Sequence, residues 1–218
     1  MILVPVKDLN SAKQRLAEVL SREQRRELAE AMLRDVLQAL AAVPGSPAVA
    51  VVTRDPEAKH VVRQFGFAVI EDATNIGETE AIAAASDVAV ERGAQWTLVI
   101  PGDAPLVTSE EVGRVLQAAP PQGTVLAAAA DGEGTNAILR RPATLFPLRF
   151  GNHSFRPHLR AAQATGKPVV VLDLPGLALD IDRPADLLAL AEAPGDTAAQ
   201  QLVRSWGLRT RPTLVAAD

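Results

Sequence analysis

The chain has 218 residues, of which 48% are hydrophobic and 22% charged, and its net charge is -4. This composition is typical of a globular protein with a substantial core. Cysteine and tyrosine are absent and aromatic residues make up 3%, which excludes disulfides, thiolate nucleophiles and Cys-ligated zinc. Few aromatic platforms and a negative charge argue against a nucleic-acid partner. No apolar run is long enough for a bilayer and no basic region precedes the apolar start, so we expect a cytoplasmic protein without a membrane partner.

The first half of the chain alternates short apolar runs with amphipathic stretches, as parallel α/β sheets do. Strands are predicted at 2–6, 48–53 and 67–70. A capping box at Ser21 and Gln24 opens a helix that stops before Pro44, and Pro56 begins a short helix to about residue 64. A turn at 75–79 leads into an alanine-rich helix that ends near residue 92.

The central stretch places a carboxylate directly after a predicted buried strand. Residues 96–100 form an unbroken apolar run, and Pro101 and Gly102 end it. A capping box at Thr108 and Glu111 then opens a helix to about residue 118. Asp103 lies between strand and helix, where open α/β sheets bind ligands. The alternative is an Asp that only caps its own turn.

The second half predicts a strand at 124–130, a glycine-rich loop at 131–136 and a short β segment at 137–140. A helix runs from 155 to near 166, a last core strand spans 169–172, and helices follow at 184–191 and 197–206. We therefore expect a single α/β domain over residues 1–207, with a mostly parallel mixed sheet flanked by helices, and a polar tail at 208–218. The apolar final helix is suited to an interface, so a homodimer is also expected.

Two acidic residues near the end of the chain are candidates to share a site with Asp103. Asp180 and Asp182 alternate across one apolar residue, so in an extended segment both carboxylates point to the same side. Three convergent carboxylates are costly unless a cation lies between them, and their hard oxygens suit Mg²⁺. The alternative for Asp182 is a cap on the helix that begins at Pro184.

Basic residues follow the first strand, at the usual phosphate-binding position of such sheets. They are Lys7, Lys13 and Arg15, and the alternative is an ordinary solvated loop. Neither a P-loop nor a dinucleotide-binding fingerprint is present.

Two further segments combine glycine with small hydrogen-bonding side chains that suit a phosphate or a carboxylate. The first contains Thr135 and Asn136, and the second contains Gly151, His153 and Ser154. His153 and His158 lack a third histidine for zinc, and a role as catalytic base stays open for either.

The absence of a GxSxG elbow and of a cysteine nucleophile favours a reaction that needs only positioning and charge neutralisation. Nucleotidyl transfer onto a phosphate is such a reaction, because the attacking phosphate is already ionised at neutral pH.

The ordered set of motifs resembles the 2-phospho-L-lactate and phosphoenolpyruvate guanylyltransferases over residues 1 to about 207. The matching segments are Val-Pro-Val-Lys at 4–7, Ala-Lys-Gln-Arg-Leu at 12–16, Ile-Pro-Gly-Asp-Ala-Pro-Leu at 100–106, Gly-Thr-Asn-Ala at 134–137, Phe-Gly at 150–151 with Ser-Phe at 154–155, and Asp-Ile-Asp at 180–182 with Asp-Leu at 186–187.

This resemblance implies a Rossmann-like nucleotidyltransferase fold, GTP as donor, and a guanylylated three-carbon acid as product in coenzyme F-420 biosynthesis. Among the acceptors, phosphoenolpyruvate is favoured over 2-phospho-L-lactate and 3-phosphoglycerate. The implied roles are Mg²⁺ ligands at Asp103, Asp180 and Asp182, triphosphate contacts at Lys13 and Arg15, acceptor contacts at Thr135, Gly151 and Ser154, and the nucleotide base near Gly77 and Thr79.

Two other functions remain as alternatives. One is a nucleotidyltransferase for a sugar phosphate or molybdopterin, although such enzymes open with a glycine-rich loop and residues 4–16 contain no glycine. The other is a regulatory module that binds a nucleotide without catalysis, which the presence of all three aspartates disfavours.

Overall fold

The computed structural model describes residues 1–45, 47–73 and 76–207. The strands are β1 (Ile2–Pro5), β2 (Val49–Val52), β3 (Ala68–Ile70), β4 (Thr97–Val99), β5 (Gly123–Ala128), β6 (Thr135–Arg141) and β7 (Val169–Val171). The helices are α1 (Arg22–Ala41), α2 (Pro56–Gln64), α3 (Glu78–Glu91), α4 (Ser109–Ala118), α5 (Phe155–Ala164), α6 (Pro175–Ala178), α7 (Pro184–Glu192) and α8 (Ala198–Ser205).

In the described part of the chain, the strands form one sheet in the order β3-β2-β1-β4-β6-β5-β7. β1 pairs in parallel with β2 and β4, β2 with β3, and β5 with β7. Only β6 runs antiparallel among the described strands, against β4 and β5. The predicted α/β fold with a mostly parallel mixed sheet is therefore confirmed.

Side chains of the central strands point alternately to the two faces of the sheet, and both faces are buried. Ile2 and Val4 belong to a buried cluster with Leu33 of α1, whereas Leu3 belongs to a second cluster with Ile82 of α3. A strand that is covered on both faces has a continuous apolar sequence. These strands could therefore be predicted from the sequence.

Helix starts follow the predicted capping chemistry. Ser21 Oγ accepts from the backbone N–H of Gln24, and Thr108 Oγ1 accepts from that of Glu111, each with the reciprocal side-chain contact. The predicted capping boxes of α1 and α4 are confirmed, and α2 begins at Pro56 as expected.

The predicted strand at 169–172 is present as β7, but its description as a core strand is wrong. β7 pairs only with β5 among the described strands and forms an edge of the sheet, where Val171 is 52% exposed. Its apolar run resembles that of a central strand, but its position depends on the order of the strands. β6 is also longer than the predicted segment at 137–140 and already includes Thr135 and Asn136.

Some predictions fall outside the described residues, namely the polar tail at 208–218 and the part of the predicted turn at 75. The assignment of residues 1–207 to one domain stays a prediction, as does the homodimer. Among the described helices, none is both long and apolar enough to cross a bilayer.

Candidate active site

A pocket of about 630 Å³ opens at the edge of the sheet where β1, β2 and β4 end and β6 begins. Its lining includes ten of the predicted site residues: Lys7, Lys13, Arg15, Gly77, Asp103, Thr135, Asn136, Gly151, Asp180 and Asp182. The carboxyl ends of parallel strands are the usual ligand-binding edge of such sheets. The structure thus brings together residues that lie up to 175 positions apart in the numbering of the chain.

Lys13 lies at the centre of the charged residues. Its ammonium donates to Oδ2 of Asp103 and, at 2.9 Å, to Oδ1 of Asp182. Arg15 donates to the other oxygen of Asp182 at 3.1 Å. Because Asp103 and Asp182 share one ammonium, their carboxylates lie within the length of two hydrogen bonds. The predicted meeting of these two aspartates is confirmed, and the loop after β1 is not merely solvated.

The electrostatics of the centre follow from this geometry. Burial opposes the charge of Lys13, whose side chain is 7% exposed, but the carboxylates of Asp103 and Asp182 raise its pKa above the ordinary value. Burial likewise opposes ionisation of Asp182, but the charge of Lys13 and its hydrogen bond lower the pKa of that carboxyl. Lys13 and Asp182 therefore stabilise each other as ions.

Asp180 has a different environment. Burial raises the pKa of its carboxyl, and the charges of Asp103 and Asp182 raise it further against a hydrogen bond from Asn136. Asn136 Nδ2 donates to Asp180 Oδ1 at 3.0 Å and also contacts the carbonyls of Leu177 and Ala178. The predicted substrate-binding residue Asn136 thus fixes the segment that carries Asp180.

Backbone contacts hold the acidic segment against the Asp103 loop. The N–H of Ile181 donates to the carbonyl of Asp103 at 3.2 Å, and the Ile181 side chain is fully buried. Asp186 accepts from the backbone N–H groups of Asp182 and Arg183. Asp186 therefore caps α7, and the side chain of Asp182 is left to face the pocket.

The Asp103 loop approaches the end of β1 closely. A Cβ at Gly102 would lie 2.9 Å from Cγ2 of Val6, so a side chain here would force Val6 or the turn to shift. Asp103 directs its carboxylate to Lys13, which answers the alternative that it only caps its own turn.

Hydroxyl and imidazole groups surround Thr135, which lines the pocket. Thr135 Oγ1 lies 2.9 Å from Nδ1 of His158, and Ser154 Oγ donates to Thr135 Oγ1 at 3.2 Å. Thr135 lines the pocket, whereas Ser154 and His158 are buried behind it. Burial, with the nearby charge of Arg140, lowers the pKa of His158 to about 4. A neutral buried histidine in this position is suited to holding Thr135.

Three predicted substrate-binding residues do not line the pocket. The hydroxyl of Thr79 accepts from the backbone N–H of Phe150 at 2.9 Å. His153 is 71% exposed and pairs with Glu133 at 2.8 Å, and Ser154 contacts Thr135 as described. Substrate contacts by these residues stay predictions, while the structure shows them joining the loops around the pocket.

Glu78 is a pocket residue that sequence reasoning did not select. Burial raises the pKa of its carboxyl, the charge of Lys7 opposes that shift, and Asp103 and Asp182 add to it. Its position directly after the predicted site residue Gly77, at the start of α3, could have identified it as a pocket residue.

The donor set suits magnesium in part. Carboxylate oxygens are the ligands that Mg²⁺ takes in proteins, and the buried carboxyl of Asp180 interacts with the charges of Asp103 and Asp182. Within the described residues, however, no group of three acidic, histidine or cysteine side chains already has the arrangement of a metal site. Lys13 occupies the space between two of the three carboxylates. A magnesium ion bound there would compete with its ammonium.

Comparison with solved structures supports the fold. A protein of Desulfovibrio desulfuricans G20, assigned as a nucleotide-diphospho-sugar transferase, superimposes with a TM-score of 0.78 at 19% identity, covering 94% of this chain and 93% of the other. A nucleotidyl transferase from Methanothermobacter thermautotroptrophicus gives a TM-score of 0.62 at 18% identity, covering 94% and 99%. The fold is therefore that of the nucleotidyltransferases, as predicted.

Sequence comparison is more specific. The phosphoenolpyruvate guanylyltransferase of Roseiflexus sp. (strain RS-1) is 41% identical over 205 residues, covering 94% of this chain and 90% of the relative. The enzyme of the same name from Sphaerobacter thermophilus is 38% identical over 190 residues, covering 87% and 91%. A family model described as "Guanylyl transferase CofC like" matches residues 1–217. The chain belongs to the CofC-like guanylyl transferase family.

Proposed function

We propose that this protein transfers GMP from GTP to the phosphate of phosphoenolpyruvate and releases pyrophosphate. The observation that carries the proposal is one pocket whose lining combines the cations of Lys7, Lys13 and Arg15 with the small residues Thr135 and Gly151. Relatives that match nearly the whole chain carry the name phosphoenolpyruvate guanylyltransferase. The motif resemblance adds that the product serves coenzyme F-420 biosynthesis.

The residues supply positioning and charge neutralisation for this reaction. A phosphate oxygen of the acid attacks the α-phosphorus of GTP, and the bond from that phosphorus to the departing pyrophosphate breaks. No general base is required, since the attacking phosphate is already ionised at neutral pH. The cations Lys7, Lys13 and Arg15 neutralise the triphosphate and the departing charge. Thr135 and the backbone at Gly151 hold the anionic groups of the acid.

Magnesium is the cofactor we propose, with Asp103, Asp180 and Asp182 as the residues that would hold it. When bound, the ion would neutralise charge on the phosphate oxygens. The raised pKa of Asp180 supports this assignment, because it reflects burial beside two further carboxylates. Lys13 would then pass from the carboxylates toward the phosphates.

The decisive experiment measures pyrophosphate release with GTP, Mg²⁺ and each of three acids separately. We expect the highest kcat/KM with phosphoenolpyruvate and less with 2-phospho-L-lactate and 3-phosphoglycerate. Replacing GTP by ATP, CTP or UTP should lower turnover, and replacing Mg²⁺ by a chelator should abolish it. Absence of release with every acid would refute the guanylyl transfer, whereas a lead of 3-phosphoglycerate would refute only the choice of acceptor.

A further inference from the structure

His158 lies in the first half of α5 and is 1% exposed, yet both of its ring nitrogens have a partner. Nε2 accepts a hydrogen bond from the backbone N–H of Arg149 at 2.9 Å. Nδ1 lies 2.9 Å from Oγ1 of Thr135. The ring also packs edge-on against Phe150, with 5.1 Å between the ring centroids. The imidazole is therefore fixed in position as well as in orientation.

These partners determine which nitrogen carries the proton. A backbone N–H can only donate, so Nε2 must present its lone pair to Arg149. A neutral imidazole has one N–H, which then belongs to Nδ1. His158 consequently donates to Thr135. The burial that lowers the pKa of His158 to about 4 is consistent with a neutral ring at physiological pH.

The tautomer of His158 has a consequence for Thr135. Oγ1 of Thr135 accepts from His158 and from Ser154, at 2.9 and 3.2 Å. A hydroxyl has two acceptor positions and one proton, so both acceptor positions are used and the proton is left for another partner. Thr135 lines the pocket while His158 and Ser154 lie behind it. The proton of the Thr135 hydroxyl is thus available to an acceptor bound in the pocket.

We propose that His158 is a positioning residue that fixes the Thr135 hydroxyl as a hydrogen-bond donor to an anionic oxygen of the acceptor acid. This inference rests on the proposed function, because it concerns the acid-binding side of the same pocket. His158 does not act as a catalytic base here, since its one lone pair is already used by Arg149. Its contribution is to binding of the acid and not to the chemical step.

Two substitutions of His158 test the roles of its two ring nitrogens separately. In His158→Asn, the amide nitrogen takes a place near Nδ1 and can still donate to Thr135. In His158→Gln, the amide oxygen takes a place near Nε2 and can still accept from Arg149, but the donor to Thr135 is lost. We expect His158→Gln to raise the KM for phosphoenolpyruvate about tenfold, as for loss of a hydrogen bond to a charged group. The KM for GTP and kcat should stay near the wild-type values, and His158→Asn should keep most of the affinity for the acid.

A purely structural role would give a different pattern. Both variants would then change the two KM values together, in proportion to their loss of thermal stability. Combination with Thr135→Val provides a second comparison, because His158→Gln should have little further effect once the hydroxyl is gone. Equal KM values for the acid in the two His158 variants would overturn the inference.

A measurement on the wild-type protein requires no variant. The chain has only three histidines, so the ¹⁵N chemical shifts of the imidazoles can be assigned. We expect His158 to carry its proton on Nδ1, and a proton on Nε2 would overturn the inference. Wild-type protein that neither binds nor turns over any of the three acids would contradict the proposed function and this inference with it. Normal wild-type turnover with the wrong tautomer would contradict the role of His158 alone.

Discussion

The side chain of Lys13 forms ion pairs with two carboxylates of the candidate site. Its backbone has φ 56°, in the left-handed region, which costs a residue with a side chain about 1–2 kcal/mol. In return its ammonium reaches both Asp103 and Asp182. A conformation that opposes local preference and serves a buried charge is typical of functional positions.

We expect Lys13→Met to lower both activity and stability. Breaking a fully buried ion pair costs about 3–5 kcal/mol, but Asp103 and Asp182 are 32% and 41% exposed, so about 1–2 kcal/mol is expected here. Mg²⁺ should raise the melting temperature of this variant more than that of the wild type, since the carboxylates have lost their internal cation. Denaturation with and without Mg²⁺ measures both effects. Lys59→Met, which removes a surface pair with Glu71, serves as the control. A variant as stable as the wild type and insensitive to Mg²⁺ would contradict the assignment.

Asp103→Asn tests the carboxylate that the sequence selected first. The amide keeps the shape of the side chain but loses the charge that Lys13 and a metal would use. We expect turnover to fall by at least about 100-fold with little change in far-UV circular dichroism. Asp196→Asn changes an exposed aspartate far along the chain and should be fully active. Wild-type turnover in Asp103→Asn would remove Asp103 from the site.

Sequence analysis correctly placed side chains in one pocket where their location follows from the edge of the sheet. Lys7, Lys13, Asp103, Asp180 and Asp182 all line the pocket because each follows a strand or lies in an extended segment. Glu78 was not selected, and His158 was considered only as a catalytic base, because their environments depend on contacts across the fold, such as that between His158 and Arg149. No spacing in the sequence encodes such a contact.

At the scale of elements, α6 is the part that sequence reasoning missed. It is only four residues long, too short for a periodic pattern, yet it delivers the carbonyls of Leu177 and Ala178 to Asn136. Its own position depends on Glu111, which accepts from the N–H of Gly176 at 2.7 Å. The residue that completes the capping box of α4 therefore also places the segment leading to Asp180.

Gly176→Ala should disturb the site through α6. A Cβ at Gly176 would meet the carbonyl of Leu106 and the carboxylate of Glu111 well inside contact distance. We expect lower activity and a loss of about 1–3 kcal/mol in unfolding free energy, as for overpacking. Gly113→Ala is a matched control, since its Cβ would meet nothing within 4 Å in the middle of α4. That control should gain about 0.5–1 kcal/mol. Equal effects of the two substitutions on urea denaturation would contradict this account of α6.

The strands show that a sequence can predict that a segment forms a strand without predicting where that strand lies in the sheet. Apolar runs identified β1, β2 and β4, and capping boxes identified the starts of α1 and α4. The run in β7 looked the same as these, but β7 lies at the edge of the sheet. The order of strands is decided by which elements pack together, and a single run of valines contains no information on that.

At the scale of the whole molecule, the pH dependence of stability should report on the buried His158. Its pKa is about 4 in the folded protein against an ordinary value of 6.5. As the pH falls through that window, His158 binds a proton in the unfolded chain but stays neutral in the folded protein. Unfolding free energy should therefore fall between about pH 6.5 and pH 4, by up to about 1.4 kcal/mol per pH unit.

His158→Gln isolates this effect. The variant should show a flatter dependence of unfolding free energy on pH between about pH 7 and pH 5, where few carboxyls titrate. His60→Gln, which replaces an exposed histidine that contacts Gln64, is the surface control for the substitution. Parallel curves for wild type and His158→Gln would mean that His158 takes up its proton equally well in both states.

The backbone hydrogen bond from Ile181 to Asp103 joins a segment from the middle of the chain to one that is synthesised much later. Lys7, Lys13 and Asp103 emerge early, and a nascent chain that stops before residue 180 has cations but lacks the acidic pair. The charged centre is therefore complete only when this late segment lies against the Asp103 loop.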